Sequence, residues 1–248
     1  MLSADELLRY DRQIMVKGIG EEGQSRLKNA KVVIAGSGEL GAPVALCLAA
    51  AGVGTIRIVD DGKVDLGHLN CQGLHWNKDI GRNKTDSLAE KLLQLNDNVQ
   101  VETFAEAITE NSVSELASGA GLIVDAAEDL PTRLLLNSVA LQTGIAFIHG
   151  AVNGFEGRVT TILPGKTACV GCLYRGAAPP HKHPAIGVTP AVIGGVQATE
   201  AIKYILGIGQ LLANRLLIYD GLRMRFTNLV IKKDPTCRYC RELANTPA

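Results

Sequence analysis

The spacing of apolar residues changes twice along the chain, and each change predicts a different arrangement of helices and strands. Ser3 and Glu6 have the spacing of a capping box, so we expect an opening helix, followed by a second over about 21–29. From Lys31 to Gly150, short apolar runs alternate with segments of helical spacing. The predicted strands are KVVIAG, TIRIVD, VQVETF, GLIVDA and GIAFIHG, and the predicted helices cover about 39–51, 82–95, 111–117 and 131–142. This alternation predicts a Rossmann-like, mostly parallel sheet with helices on both faces.

After Gly150 the pattern becomes typical of antiparallel strands separated by Gly and Pro turns. The predicted strands are GRVTTILP, NRLLIYD and MRFTNLVIK, with one helix over about 191–206. The segment 175–190 contains four prolines, which predicts an irregular loop. The expected fold class is therefore α/β, with the parallel sheet continued by an antiparallel strand region.

Composition and charge narrow the class of protein. With 46% apolar and 20% charged residues and 27 glycines in 248, the composition is that of a soluble α/β protein and excludes disorder, collagen and coiled coil. Basic and acidic residues both number 25, so no net field draws the chain to nucleic acid or to a membrane. The N-terminus lacks the apolar segment of a secretory signal, and no stretch reaches the roughly 20 apolar residues of a spanning helix. We expect a cytoplasmic protein.

A glycine-rich loop predicts a nucleotide site. Gly36-Ser37-Gly38-Glu39-Leu40-Gly41 follows a predicted strand and opens a helix, whose free N–H groups favour a phosphate. Asp60, 19 residues beyond, ends the next predicted strand, where a carboxylate can accept from ribose hydroxyls. The alternative is a glycine turn that only packs helix on strand, and the motif leaves NAD and ATP both open.

Two cations begin the predicted helix 82–95. Arg82 and Lys84 oppose the helix dipole there, which is favourable if an anion lies between them and the glycine loop. A solvated basic helix start is the simpler alternative.

Two C-x-x-C pairs predict a metal site. Cys169, Cys172, Cys237 and Cys240 supply four thiolates, enough to close a tetrahedral zinc site that ties the C-terminal tail to the second half of the chain. A thioredoxin-like redox pair is the alternative, which we disfavour because neither pair is expected to open a helix after a strand in a βαβ unit.

Taken together, these residues resemble the ThiF/MoeB/HesA-type, ubiquitin-activating-like adenylyltransferases over nearly the whole chain. The resemblance also includes Arg9-Tyr10-Asp11-Arg12-Gln13, Gln72, Gly81-x-x-Lys84, Asp125, Arg133 and Gln197-Ala198-x-Glu200-Ala201-Ile202-Lys203. It implies one ThiF-type domain over 1–248, with N-terminal helices in 1–29, a nucleotide-binding half in 30–150, and a substrate-side and zinc-binding half in 151–248.

The resemblance implies a homodimeric, ATP-dependent enzyme that uses Mg²⁺ and a structural Zn²⁺. A carboxylate, either the C-terminal glycine of a ubiquitin-like sulfur-carrier protein or a small-molecule acid, would attack the α-phosphate and release pyrophosphate. Lys84 would bind phosphate, Glu128 would bind magnesium, and Arg12 would reach across the dimer as an arginine finger. The implied nucleotide-binding residues are Gly36, Gly38, Glu39, Gly41, Asp60, Asp61, His68, Cys71 and Gln72.

The chain departs from the family pattern around the phosphates. His68 stands for an asparagine, Cys71 for an arginine, Glu128 for the magnesium-binding aspartate, and Glu39 for the middle glycine. Members that form a thioester carry a cysteine after the first C-x-x-C, and none lies between Cys172 and Cys237. Two alternatives stay open: a non-catalytic nucleotide-binding scaffold, and an NAD-dependent oxidoreductase, although no hydride-transfer pair is recognisable.

Overall fold

A computed structural model describes residues 1–175 and 184–241. The strands in these residues are β1 Lys31–Ala35, β2 Thr55–Val59, β3 Gln100–Phe104, β4 Leu122–Asp125, β5 Ala146–Asn153, β6 Glu156–Ile162, β7 Arg215–Asp220 and β8 Arg225–Val230. The α-helices are α1 Ala4–Arg9, α2 Asp11–Ile14, α3 Gly20–Asn29, α4 Gly41–Ala50, α5 Lys84–Leu95, α6 Val113–Leu116, α7 Leu130–Thr143, α8 Val170–Tyr174 and α9 Val188–Leu206. Leu66–His68 and Asn77–Asp79 form short 3₁₀ turns.

The strands form one sheet in the order β3-β2-β1-β4-β5-β6-β7-β8. Strands β1 to β5 pair in parallel, and β6, β7 and β8 extend the sheet in antiparallel fashion. The α/β class and the change from parallel to antiparallel strands after the fifth strand are confirmed.

Alternate residues of the central strands pack into two separate hydrophobic cores, one on each face of the sheet. On β1, Val32 and Ile34 pack with α3, α4, α5 and α9, whereas Val33 and Ala35 pack with α6, α7 and α8. Since successive side chains of a strand point to opposite faces, an all-apolar run such as KVVIA requires helices on both sides. The two cores confirm that expectation.

The strand order places a crevice at the carboxyl ends of β1 and β4. The chain leaves β1 toward β2 on one side, while β4 lies on its other side, so the two connections diverge and leave a gap. Ligands of doubly wound sheets bind at this switch point. The glycine loop after β1 and the segment 126–129 after β4 both open into it.

Some predicted boundaries are wrong. The capping box of Ser3 and Glu6 does start α1, but α5 begins at Lys84 and not at Arg82. The loop predicted to run to Pro190 ends earlier, because α9 starts at Val188; a proline in the first helical turn has no hydrogen bond to lose there. The remainder of that predicted loop, 176–183, lies outside the described residues. Within the described ranges, no helix combines the length and apolarity needed to cross a membrane.

Candidate functional site

The glycine loop closes tightly against the end of β4. Gly36 has a φ of 107°, and a Cβ on it would lie 2.4 Å from the carbonyl oxygen of Ala126. A Cβ on Gly41 would lie 1.8 Å from the carbonyl oxygen of Gly36. Larger residues would therefore push the loop off the strand ends, which explains the glycine spacing physically.

Asp60 holds the loop in place. Its Oδ2 accepts from the backbone N–H of Ser37 at 2.7 Å and from the Ser37 hydroxyl at 2.9 Å, and its Oδ1 accepts from the backbone N–H of Gly62 at 2.7 Å. The carboxylate that was predicted to meet a ribose is thus also the anchor of the glycine loop. Part of its hydrogen-bonding capacity remains for a ligand, because a carboxylate has about four acceptor positions.

A cavity of 260 Å³ lies in the crevice and brings together seven of the predicted site residues. These residues are Gly36, Gly38, Glu39, Asp60, Asp61, Lys84 and Glu128. Sequence reasoning missed other parts of the lining, among them Glu106 and Ile108, which follow β3, and Thr132 of α7. Their position just beyond a parallel strand or at a helix start was the available signal.

Lys84 contributes a buried ammonium group to the cavity. Its exposed fraction is 5%, and Nζ lies 3.2 Å from where a Cβ of Gly62 would be, next to Asp60. Within the ranges 1–175 and 184–241, Nζ of Lys84 has neither a hydrogen bond nor an ion pair, whereas the backbone N–H of Lys84 donates to the carbonyl oxygen of Gly62 at 3.0 Å. A buried charge is costly unless it is paired, so the position favours a bound anion.

Arg82 does not share this role. Its Nη1 pairs with Asp79 and Glu90, each at 2.8 Å. The expectation that both cations face one anion is therefore wrong for Arg82, because its side chain is directed to nearby carboxylates on another surface.

Gln72 and Glu128 flank the glycine loop. A Cβ on Gly38 would lie 3.2 Å from Nε2 of Gln72 and 3.8 Å from Oε1 of Glu128. Gln72 is buried and Glu128 lines the cavity. An amide donor and a hard carboxylate oxygen thus lie beside the point where a phosphate would approach the loop.

A second cavity of 270 Å³ lies beside the first, and Glu39 lines both. Its other walls come from the start of α4, the loop around Cys71, and the start of α9. Burial raises the pKa of the Cys71 thiol, and the negative charges of Glu39 and Glu128 raise it further. The thiol donates to the carbonyl oxygen of His68 at 3.3 Å. Cys71 is therefore a protonated wall residue.

Four predicted site residues do not line either cavity. One is Gln72, which is buried beside Gly38. The side chain of His68 is exposed on a 3₁₀ turn. Gly41 is buried inside the start of α4. Arg12 is exposed on α2. The chain by itself does not bring Arg12 to the nucleotide crevice.

His75 supports the glycine loop from below, a role that the sequence did not reveal. Nε2 lies 2.9 Å from the carbonyl oxygen of Ser37, and Nδ1 lies 2.9 Å from Oγ of Ser87. A carbonyl only accepts, so Nε2 carries the proton and Nδ1 accepts from the Ser87 hydroxyl. Burial lowers the pKa of His75, which keeps this imidazole neutral.

The four cysteines come together as predicted. The Sγ atoms all lie within 4.8 Å of one another, with separations of 3.9 Å for Cys169–Cys172, 3.7 Å for Cys169–Cys237 and 3.5 Å for Cys172–Cys240. Zinc–sulfur bonds of about 2.3 Å in a tetrahedron place sulfur atoms about 3.8 Å apart, so the cluster fits zinc. Burial raises the pKa of Cys169 to about 12, and a cation would offset this.

The first C-x-x-C pair does open a short helix, but not in the βαβ unit that a thioredoxin-like pair requires. Cys169 is the N-cap of α8. This helix has five residues and follows β6, which is antiparallel to β5. The βαβ context of a thioredoxin-like pair is therefore still missing.

Comparison with known proteins identifies the family of the chain. The ThiF family model matches residues 10–239. The SAMP-activating enzyme E1 of Haloferax volcanii is 40% identical over 247 residues, which cover 97% of this chain and 91% of that protein. The sulfur carrier protein adenylyltransferase of Thermus thermophilus is 38% identical over 247 residues, 95% of this chain and 91% of that protein.

Solved structures share the fold. MccB of E. coli in complex with N-formylated MccA has a TM-score of 0.84 at 23% identity, covering 94% of this chain and 74% of that chain. PaaA has a TM-score of 0.80 at 27% identity, covering 94% and 76%. The family expected from the sequence motifs is thus confirmed, and the chain belongs to the ThiF family.

Proposed function

We propose that this chain is an adenylyltransferase of the ThiF/MoeB type, which uses ATP to convert a carboxylate into an acyl-adenylate with release of pyrophosphate. The observation that carries the proposal is the ammonium group of Lys84, which is buried at the mouth of the glycine loop and has no ion pair with any residue that the structure describes. Relatives at 38% and 36% identity bear adenylyltransferase names, which supports the same reaction.

The reaction joins two anions, and the cavity must reduce their repulsion. A carboxylate oxygen forms a bond to the α-phosphorus, and the bond between that phosphorus and the bridging oxygen of pyrophosphate breaks. Oriented N–H groups of the glycine loop and the ammonium of Lys84 are placed to stabilise the developing charge. Asp60 has acceptor capacity left for the ribose hydroxyls, and Gln72 presents its amide beside the loop.

The cavity carries more negative than positive side chains. Six carboxylates line it: Glu39, Asp60, Asp61, Glu106, Glu128 and Asp129. Lys84 and Arg133 are the cations of the described lining. A triphosphate therefore needs added positive charge, and Mg²⁺ held by the hard oxygens of Glu128 would supply part of it.

Arg12 is the best source of further charge, provided that two copies of the chain associate. It lies exposed on α2, next to apolar side chains that are also exposed: Leu8 at 80%, Met15 at 76% and Val16 at 51%. Exposed apolar groups of this size favour an interface. We infer a homodimer in which Arg12 reaches the partner's nucleotide cavity.

Relatives indicate the substrate class. Their names refer to activation of SAMP and to adenylylation of a sulfur carrier protein. A ubiquitin-like sulfur-carrier protein ending in glycine is therefore the proposed partner, and a small-molecule acid is the alternative. The second cavity, next to Glu39 and Cys71, offers space for the group attached to the carboxylate.

An enzyme thioester is not part of the proposal. Among the described residues, Cys71 is the cysteine beside the site, and burial raises its pKa. A nucleophilic cysteine needs the opposite shift, toward the thiolate. Zinc at the four-cysteine cluster would be structural, because four thiolates leave no open coordination position.

Pyrophosphate exchange into ATP tests the proposal. With the cognate carboxylate and Mg²⁺, we expect exchange in the wild type and a loss of about 10²–10³-fold in Lys84→Ala, on the scale of a lost oxyanion donor. Lys78→Ala is the matched control, because this lysine is exposed and pairs with Glu90 away from the cavity.

Two results would contradict the adenylyltransferase function. Wild-type protein that binds ATP but shows no exchange with any carrier or acid would favour the scaffold alternative. Thermal stabilisation by NAD and not by ATP would favour the oxidoreductase.

A further inference from the structure

A ring of four polar side chains contacts the backbone of Ala127, the residue before Glu128. Asp125 Oδ2 lies 2.6 Å from Nδ1 of His149, and Nε2 of His149 lies 3.1 Å from the hydroxyl of Tyr174. Nη1 of Arg133 donates to the same hydroxyl at 3.2 Å, and Nε of Arg133 lies 4.0 Å from Asp125. Asp125, His149 and Arg133 are buried, and Tyr174 is partly buried.

The hydrogen bonds of the ring have one consistent direction. The Asp125 carboxylate accepts from Nδ1–H of His149, so Nε2 is the acceptor. The Tyr174 hydroxyl donates to Nε2 and accepts from Arg133, which has only donors. Burial lowers the pKa of His149, which fits this neutral imidazole. Each polar group of the ring is thereby satisfied, so the arrangement is rigid.

The ring holds Ala127 by both of its backbone polar groups. Nε and Nη2 of Arg133 donate to the carbonyl oxygen of Ala127 at 3.1 and 2.6 Å. Oδ1 of Asp125 accepts from the backbone N–H of Ala127 at 3.0 Å. The next residue is Glu128, so these contacts fix the backbone from which its side chain reaches the cavity.

Tyr174 connects the ring to the helix that carries two of the clustered cysteines. Tyr174 ends α8, two residues after Cys172. A helix of five residues is not stable alone, so contacts made by its neighbours decide where Tyr174 lies. The backbone N–H of Val170 donates to Oδ1 of Asn137 at 3.0 Å, and Cys169 and Cys172 join α8 to Cys237 and Cys240.

We propose that His149 and Tyr174 are positioning residues: through Asp125 and Arg133 they fix the Ala127–Glu128 backbone and thereby set the Mg²⁺-dependent part of nucleotide binding. The inference rests on the proposed function only in giving Glu128 its role toward magnesium. It connects the cysteine cluster to the nucleotide cavity by one hydroxyl group.

Tyr174→Phe tests the link with the loss of a single oxygen atom. The dissociation constant of a non-hydrolysable ATP analogue is measured by calorimetry with and without added Mg²⁺, in the absence of any carboxylate. We expect affinity to fall about fivefold with Mg²⁺, the scale of one hydrogen bond, and less than twofold without it. Tyr239→Phe is the matched control, since Tyr239 lies between Cys237 and Cys240 in the chain but its hydroxyl accepts from exposed Arg238.

His149→Asn tests the same link from the other side. Asparagine keeps an N–H donor toward Asp125 and removes the acceptor that Tyr174 uses. We expect a loss equal to that of Tyr174→Phe, and no further loss in the double variant, because both changes break one connection. Losses that multiply in the double variant would overturn the network.

The outcomes separate this inference from the proposed function. A wild type that binds no nucleotide contradicts the proposed function. A wild type with Mg²⁺-dependent binding that Tyr174→Phe leaves unchanged contradicts only the positioning role. An equal loss with and without Mg²⁺, or the same loss in Tyr239→Phe, also contradicts it, since the effect would then be general. Thermal melts of each variant show whether it is folded.

Discussion

His75 lies under the glycine loop as a neutral imidazole, and its surroundings require that state. The Ser87 hydroxyl accepts a hydrogen bond from Lys91 at 2.9 Å and donates one to Nδ1 of His75. A second proton on the ring would remove this acceptor and add a charge beside Lys91. Burial is the main cause of the lowered pKa.

At this scale we expect a pH dependence of stability. The folded pKa of His75 is lower than the ordinary value of about 6.5, so the unfolded chain binds a proton more readily. The contribution of His75 to the free energy of unfolding is therefore greatest above about pH 6.5. It decreases as the pH falls through about 6.5 toward the folded pKa. His149, whose pKa is also lowered by burial, acts in the same direction.

Urea unfolding between pH 7.5 and 5.5 measures this effect. His75→Gln keeps a donor for the Ser37 carbonyl and cannot titrate, so its free energy of unfolding should fall less steeply with acidification than that of the wild type. His68→Gln, at an exposed position, should leave the slope unchanged. Equal slopes for His75→Gln and the wild type would contradict this account, because they would mean that folding does not change the pKa of His75.

At the scale of elements, the connection from β1 to α4 decides whether a nucleotide can approach. Gly36 combines a positive φ with a neighbouring carbonyl oxygen, so any Cβ there is both strained and crowded. The helix that follows can present its first N–H groups only if this turn stays close to β4.

We expect Gly36→Ala to abolish detectable nucleotide binding and to lower the free energy of unfolding by about 1–3 kcal/mol, the usual cost of such backbone strain. Gly195→Ala is the control. It lies within α9 with nothing within 4 Å of a Cβ, so the helix should gain about 0.5–1 kcal/mol. Calorimetry and chemical unfolding check both, and normal binding by Gly36→Ala would contradict the account of the loop.

At the scale of the molecule, the cysteine cluster joins parts of the chain that are distant in sequence. Cys237 and Cys240 follow the edge strand β8, whereas Cys169 and Cys172 flank the start of α8. A bound metal would therefore hold the C-terminal segment against the core that contains α7.

We expect one zinc per chain and its loss in Cys237→Ser, together with a clear drop in melting temperature, because metal binding stabilises only the folded arrangement. Cys47→Ser is the control, since Cys47 is half-buried on α4 and outside the cluster. Metal analysis and thermal melts decide the matter. A Cys237→Ser variant that retains both metal and stability would contradict the site.

Association of two chains is the second prediction at this scale. Subunits with Arg12→Ala and subunits with Lys84→Ala should each be inactive in exchange alone. A verified mixed dimer should recover one active site, because one cavity would then have an intact Lys84 and an intact Arg12 from the partner. Differently tagged subunits allow the mixed species to be purified. A mixed dimer without recovery, or a chain that stays monomeric at assay concentration, would contradict the assignment.

The sequence by itself determined the elements and the local motifs. Five apolar runs became parallel strands because only a sheet covered on both faces buries such runs, and the glycine spacing predicted a loop that other residues cannot form. The four cysteines were identified from their spacing. In each C-x-x-C pair the two cysteines are close enough along the chain to bind the same metal ion.

Tertiary structure alone decided which distant side chains meet. Arg82 was expected to face the anion site, but its side chain forms ion pairs with Asp79 and Glu90 outside the cavity. His75, His149 and Tyr174 gave no signal, because their partners lie 12 to 41 residues away and on other elements. Periodicity reports whether a position is buried, whereas a hydrogen-bond partner depends on how strands and helices pack. That physical difference explains why Lys84 could be predicted from its helix start and the ring that contacts Ala127 could not.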